Sequence, residues 1–92
     1  MSAPPLWRVA FDPAAAKELR RLGGPAREAV QNYLRTRIAT AEDPRRFGKA
    51  LAGDLAGLWR YRVGDHRIVA KIEDGRVLAL VLRVAHRREV YE

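Results

Sequence analysis

The sequence predicts a single α+β domain over residues 1–92, in the order β-α-α-β-β-β: an N-terminal strand and an antiparallel two-helix hairpin packed on one face of a mainly antiparallel four-stranded sheet. Three observations carry this expectation. Residues 58–72 alternate side chains about a central Gly64-Asp65 pair, the pattern of a β-hairpin whose two-residue turn uses glycine for a positive φ. Residues 13–40 instead place apolar side chains three and four apart, with a break at Gly23-Gly24, as two short amphipathic helices require. Residues 76–84 form a nearly continuous apolar run, which suits a central strand covered on much of both faces.

In chain order, Leu6 to Phe11 alternates enough for a first strand, with Trp7, Val9 and Phe11 on one side and Leu6, Arg8 and Ala10 on the other. Asp12 reads as a helix N-cap and Pro13 as the first helical residue, where its missing N–H costs nothing. The first helix extends to about Leu22 and buries Ala15, Leu19 and Leu22. Pro25 opens the second, whose apolar stripe is Ala26, Ala29, Val30, Tyr33, Leu34, Ile38 and Ala41, and Asp43-Pro44 stops it near Thr40. Residues 45–57 connect to the hairpin with Phe47, Leu51 and Leu55 as anchors. Gly48, Gly53 and Gly57 in this segment lack the spacing of a phosphate-binding loop. A second tight turn at Asp74-Gly75 leads into the last strand.

With Gly64 and Asp65 as the loop, Val63 faces His66, Arg62 faces Arg67, Tyr61 faces Ile68 and Arg60 faces Val69. Trp59, Tyr61, Val63, Ile68, Ala70 and Ile72 then share a core face, and Arg60, Arg62 and Arg67 share the other. Two opposed guanidiniums repel by on the order of 1 kcal/mol in water and by more near a protein surface. Either that face is simply solvated, or a polyanion lies across it with phosphate oxygens held by planar guanidinium forks.

The formal charge of +7 points to an acidic partner, either nucleic acid or an acidic protein. Only Lys17, Lys49 and Lys71 among the 18 basic residues are lysine, so the charge is carried mainly by arginine. The absence of cysteine excludes disulfides and zinc–thiolate sites and fits a reducing, cytoplasmic setting. With His66 and His86 the only histidines, no metal site is expected, and no motif calls for a cofactor. The start of the chain has no basic-then-apolar leader and no apolar stretch nears ~18 residues, so neither a signal peptide nor a membrane partner is expected.

Three blocks, Gly48-Lys49-Ala50-Leu51, Gly57 to Val69, and Val84-Ala85-His86-Arg87-Arg88-Glu89-Val90-Tyr91, resemble the signature blocks of the RelE/ParE superfamily, toxins of bacterial and archaeal type II toxin–antitoxin modules. The resemblance spans nearly the whole chain and implies a RelE-like fold. Its RelE branch implies a ribosome-dependent, metal-independent endoribonuclease, an mRNA interferase that uses the 2′-hydroxyl of the message as nucleophile and so inhibits translation. Matched motif to motif, Arg60 and Arg62 stand where that branch has two basic residues, Arg67 at its hairpin arginine, Arg87 at its basic residue after the last strand, and Tyr91 at its C-terminal tyrosine. Lys49, Arg83, His86 and Arg88 are the expected supporting RNA contacts. The alternative is a ParE-type inhibitor of DNA gyrase with no catalytic activity. That branch generally lacks this basic set and the terminal Arg-Glu-Val-Tyr pattern, which favours RelE.

The chemistry is consistent with such a site. In-line attack by a 2′-oxygen needs a proton removed, the leaving 5′-oxygen protonated and the charge of the phosphorane stabilised. Converging arginines supply the last, and a ribosome that holds the message bent supplies orientation. Arg60, Arg62 and Arg67 are therefore expected on the phosphate, Arg87 on the phosphate or leaving group, and Tyr91 in base stacking or proton transfer. Arg60 and Arg62 stand where relatives carry lysine, and an arginine with a pKa above ~12 cannot act as a base near neutral pH. The remaining candidates are Tyr91, His86 and His66, of which His66 points by register to the core face; positioning and electrostatics with no strong base is the other route.

A lethal toxin also implies a cognate antitoxin, a small, acidic, RelB-like protein forming a heteromeric complex beside the toxin's ribosome and mRNA targets. Its expected seat is an exposed apolar stripe of Leu78, Leu80, Leu82 and Val84, which simple alternation places on the face of Arg67.

Overall fold

A computed structural model describes residues 3–86 and Arg88. Strand β1 (Arg8–Phe11) is followed by helices α1 (Pro13–Arg21) and α2 (Gly24–Tyr33), then by strands β2 (Lys49–Ala50), β3 (Leu58–Val63), β4 (His66–Glu73) and β5 (Leu78–His86). The sheet runs in the order β1-β5-β4-β3-β2, with β1 parallel to β5 and the other pairs antiparallel. The sheet therefore has five strands where four were expected. The added one is the two-residue edge strand β2, too short to show any alternation in sequence.

β1 is shorter than Leu6–Phe11 because the Trp7 N–H donates to the Thr40 carbonyl (2.8 Å), outside the sheet. Only from Arg8, whose N–H reaches the Val77 carbonyl at 2.9 Å, does the chain pair with β5. Asp12 caps α1 by accepting from the Ala14 N–H at 3.1 Å, with Pro13 in the first turn. α2 does not run on as a regular α-helix to Thr40. At Leu34–Ile38 it widens into one π turn, closed by the Ala39 N–H on the Leu34 carbonyl at 2.8 Å. Val30, Leu34 and Ile38 of the expected stripe are buried, while Ala29 and Ala41 are exposed.

Both helices lie on one face of the sheet. Ala15, Leu19, Val30, Leu34 and Ile38 meet Tyr61, Ile68, Ala70, Ala79, Val81 and Val84 there, with Val9, Phe11, Trp59, Val63 and Ile72 at the margin. The observed hairpin register is the expected one, Val63↔His66 through Arg60↔Val69. On the opposite face Leu51, Val69 and Ala85 form a smaller apolar cluster with Leu55 and Leu58. Among the described residues, no helix is long and apolar enough to cross a membrane.

The expected Asp74-Gly75 two-residue turn is instead a 3₁₀ turn over Asp74–Arg76, with Val77 in the left-handed region at φ 48°. A β-branched residue adopts that conformation only where its surroundings impose it. Here Val77 is held by its own N–H on the Asp74 carbonyl (3.0 Å) and by its carbonyl on Arg8.

Candidate functional site

The hairpin positions the site. Arg62 and Arg67 are direct cross-strand partners, and Arg60 sits between Lys49 of β2 and Val69 of β4. Directly opposed residues share a face, so all four cations lie on the side away from the helices. Together with Phe47 and Gly48 they line an open cleft of about 430 Å³. Arg67 is buried, at 6% exposure, Arg60 is half-buried and Arg62 is exposed, so guanidiniums are set at several depths. Such a cleft can hold an anion by forked hydrogen bonds and by concentrated positive potential.

The segment that walls the cleft is anchored from behind. Tyr61, on the core face of β3, donates its hydroxyl to the Pro44 carbonyl at 2.8 Å. Burial, chiefly, pushes that phenol up to about 12, so it stays protonated and keeps donating. A Cβ on Gly48 would come within 3.0 Å of the Tyr61 ring, so the chain passes the ring this closely only with glycine there. Arg45 forks onto Asp74 (2.6 and 3.1 Å) and also reaches Asp43 (3.2 Å), tying the wall to the β4–β5 loop. These hydrogen bonds raise the Arg45 guanidinium above its ordinary value and lower the Asp74 carboxyl.

The other expected site residues are distributed differently. Lys49 is in the cleft. Arg83 is turned to α1, where Glu18 accepts from its Nε at 3.0 Å and from the Val84 N–H at 2.9 Å; the carboxylate takes the edge of β5 beyond its pairing with β1. His86 is set apart from the cleft: it pairs with His66, ring centroids 5.7 Å apart, and by register both lie on the helix side, opposite the arginines. Arg88 is exposed, its backbone N–H donating to His86 Nδ1 at 3.3 Å. Arg87 and Tyr91 lie outside the described residues.

The apolar stripe is corrected in its geometry. A bulge at Val69/Ala70 sets Arg83 opposite Val69 but Val81 opposite Ala70, leaving Leu82 without a cross-strand partner. Leu78 and Leu80 stay on the arginine face while Val84 falls in the helix-covered core, and Leu78 and Val84 are only 4% and 1% exposed. The four do not form one exposed stripe. Phe47, read as an anchor of the connecting segment, is 40% exposed at the cleft. The signal for it was its setting in Pro44-Arg45-Arg46-Phe47-Gly48-Lys49, an aromatic interleaved with basic residues.

The chain and its fold resemble known proteins. Residues 9–91 match the family described as the ParE toxin of the type II toxin–antitoxin system parDE. A curated relative named toxin RelE, from Mycobacterium tuberculosis, is 33% identical over 85 residues, spanning 92% of this chain and 86% of that protein. Toxin RelG of the same organism is 31% identical over 85 residues, spanning 92% and 95%. A chain of the M. tuberculosis toxin–antitoxin complex RelBE2 superposes with a TM-score of 0.82 at 29% identity, covering 95% of this chain and 98% of that one. The isolated E. coli RelE toxin superposes at 0.70 with 22% identity over 87% and 83%, a likeness of fold.

Proposed function

Given that the chain belongs to the RelE/ParE superfamily of type II toxin–antitoxin toxins, we propose that it is a ribosome-dependent endoribonuclease that needs no metal and halts translation by cutting messenger RNA. The observation that carries this reading is the convergence of Arg60, Arg62, Arg67 and Lys49 on one cleft. The 2′-oxygen of a nucleotide in the ribosomal decoding site attacks the adjacent phosphorus, the bond to the 5′-oxygen breaks, and a cyclic phosphate and a 5′-hydroxyl result. Guanidiniums aimed at the phosphate oxygens stabilise the charge that peaks in between. Arg87 joins them at the phosphate or the leaving oxygen.

With both histidines on the helix side and Tyr61 held protonated, the proton-transfer role falls to Tyr91, or the rate comes mainly from orientation and electrostatics. The match to a ParE family keeps a second reading in view, a gyrase inhibitor without chemistry of its own. Relatives of this fold are solved as toxin–antitoxin complexes, which supports an antitoxin partner; the basic face calls for an acidic one, which would block RNA entry there.

Inducing the chain in cells and mapping transcript 5′ ends separates the readings. Codon-phased cuts inside translated regions are the expected result. Intact transcripts together with gyrase-linked DNA breaks would replace this proposal by the second.

A further inference from the structure

We propose that Phe47 is a stacking platform for a nucleobase of the RNA strand whose phosphate occupies the arginine cleft, a role that rests on the RNA-cutting reading above. Among the described residues only Leu6 and Phe47 are large apolar side chains exposed to solvent, and Phe47 alone of the two lines the cleft with Arg60, Arg62 and Arg67. Its ring is set among cations, the Arg46 guanidinium 4.3 Å and the Arg37 guanidinium 5.2 Å from its centroid. A phenyl ring beside guanidinium planes and phosphate-binding arginines is the combination that holds single-stranded nucleic acid, because every base offers a π face.

The platform is also rigid. The Tyr61 hydroxyl holds the Pro44 carbonyl, Asp43 accepts from the Arg45 N–H at 3.0 Å, and the Arg45 fork on Asp74 fixes the turn that carries Phe47. A ring carried on a turn anchored at Pro44 and Arg45 loses little further freedom when a base covers it, so the stack forms at low entropic cost.

The test uses the full chain and a short RNA carrying 2-aminopurine, with 2′-O-methyl groups so that it cannot be cut. Stacking quenches the fluorophore. Phe47→Leu, which keeps apolar bulk but removes the π face, should weaken binding about tenfold and abolish most of the quench, while Phe47→Trp restores both. Circular dichroism confirms that the exposed substitution leaves the fold intact. Equal quenching by the wild type and Phe47→Leu overturns the stacking role, whatever the chain does to messenger RNA. A Phe47-dependent quench in a chain that cuts no message on ribosomes keeps the stacking role and removes the nuclease reading instead.

Discussion

Arg62 and Arg67 stand opposite each other across β3 and β4, an arrangement that costs stability and that a phosphate bound between them would offset. The two effects of removing one partner therefore have opposite signs. On the proposed nuclease function, Arg62→Ala, at an exposed position, should lower the ribosome-dependent cleavage rate by about 10²–10³-fold, the usual loss for one donor aimed at a transition-state oxyanion. It should leave stability unchanged or raise it by up to about 0.5 kcal/mol, read as a shifted urea midpoint. A fall in both would mean that Arg62 holds the fold. Arg67, buried at the cleft, is a poorer probe because its removal also disturbs packing. Gly48 gives the contrasting case. Gly48→Ala pushes a methyl against the Tyr61 ring, which is 1% exposed and fixed at its far end by Pro44, so it should destabilise the domain by about 1–3 kcal/mol. The double variant Gly48→Ala/Tyr61→Phe frees the ring from its hydroxyl anchor and should depart from additivity, as a double-mutant cycle in urea would show.

The β3–β4 hairpin was legible in the sequence to the residue, because alternation and a glycine turn specify register locally. What escaped was decided by interactions the pattern does not encode. The π turn at Leu34–Ile38 ends the regular helix before Thr40, and the bulge at Val69/Ala70 moves Val84 across the sheet, so a register extended by simple alternation from the loop failed beyond it. The bulge also explains why the arginines of the hairpin were grouped correctly while the leucines of β5 were not. Asp74 illustrates the same point, since its role is a clip to Arg45, 29 residues away in sequence, and not a tight turn. The clip has a pH signature. The hydrogen bond from Arg45 lowers the Asp74 carboxyl below its ordinary value of 3.8, so in that range the unfolded chain binds more protons than the folded one, and stability rises with pH. The contribution is present above the ordinary value and is lost as pH falls through the lowered one. Asp74→Asn should flatten that acid limb of the stability–pH curve while leaving the curve near neutrality only slightly lower. Because the pair is exposed, about 1 M salt should shrink the difference.

At the scale of the whole molecule, the net charge of +7 and the cleft make different claims about binding. Part of the positive charge is neutralised by pairing, as with Arg45 on Asp74, Arg46 on Glu42, Arg76 on Glu73 and Arg83 on Glu18. Arg60, Arg62, Arg67 and Lys49 share one concave face. If binding is a property of the cleft, single-stranded RNA displaces counterions from about four sites, and log affinity should fall against log salt with a slope of about −3. A chain that binds through its overall charge would show a slope of about −5 on the same rule. Lys49→Ala discriminates further: it should lower the slope's magnitude by about 0.7 without changing the quench at Phe47, because a point charge on phosphate and a ring under a base contribute separately. Fluorescence titrations of the uncuttable RNA over a range of salt concentrations measure both quantities at once. A steep slope indifferent to Lys49 would assign the affinity to the whole basic surface and detach it from the hairpin around which the fold is built.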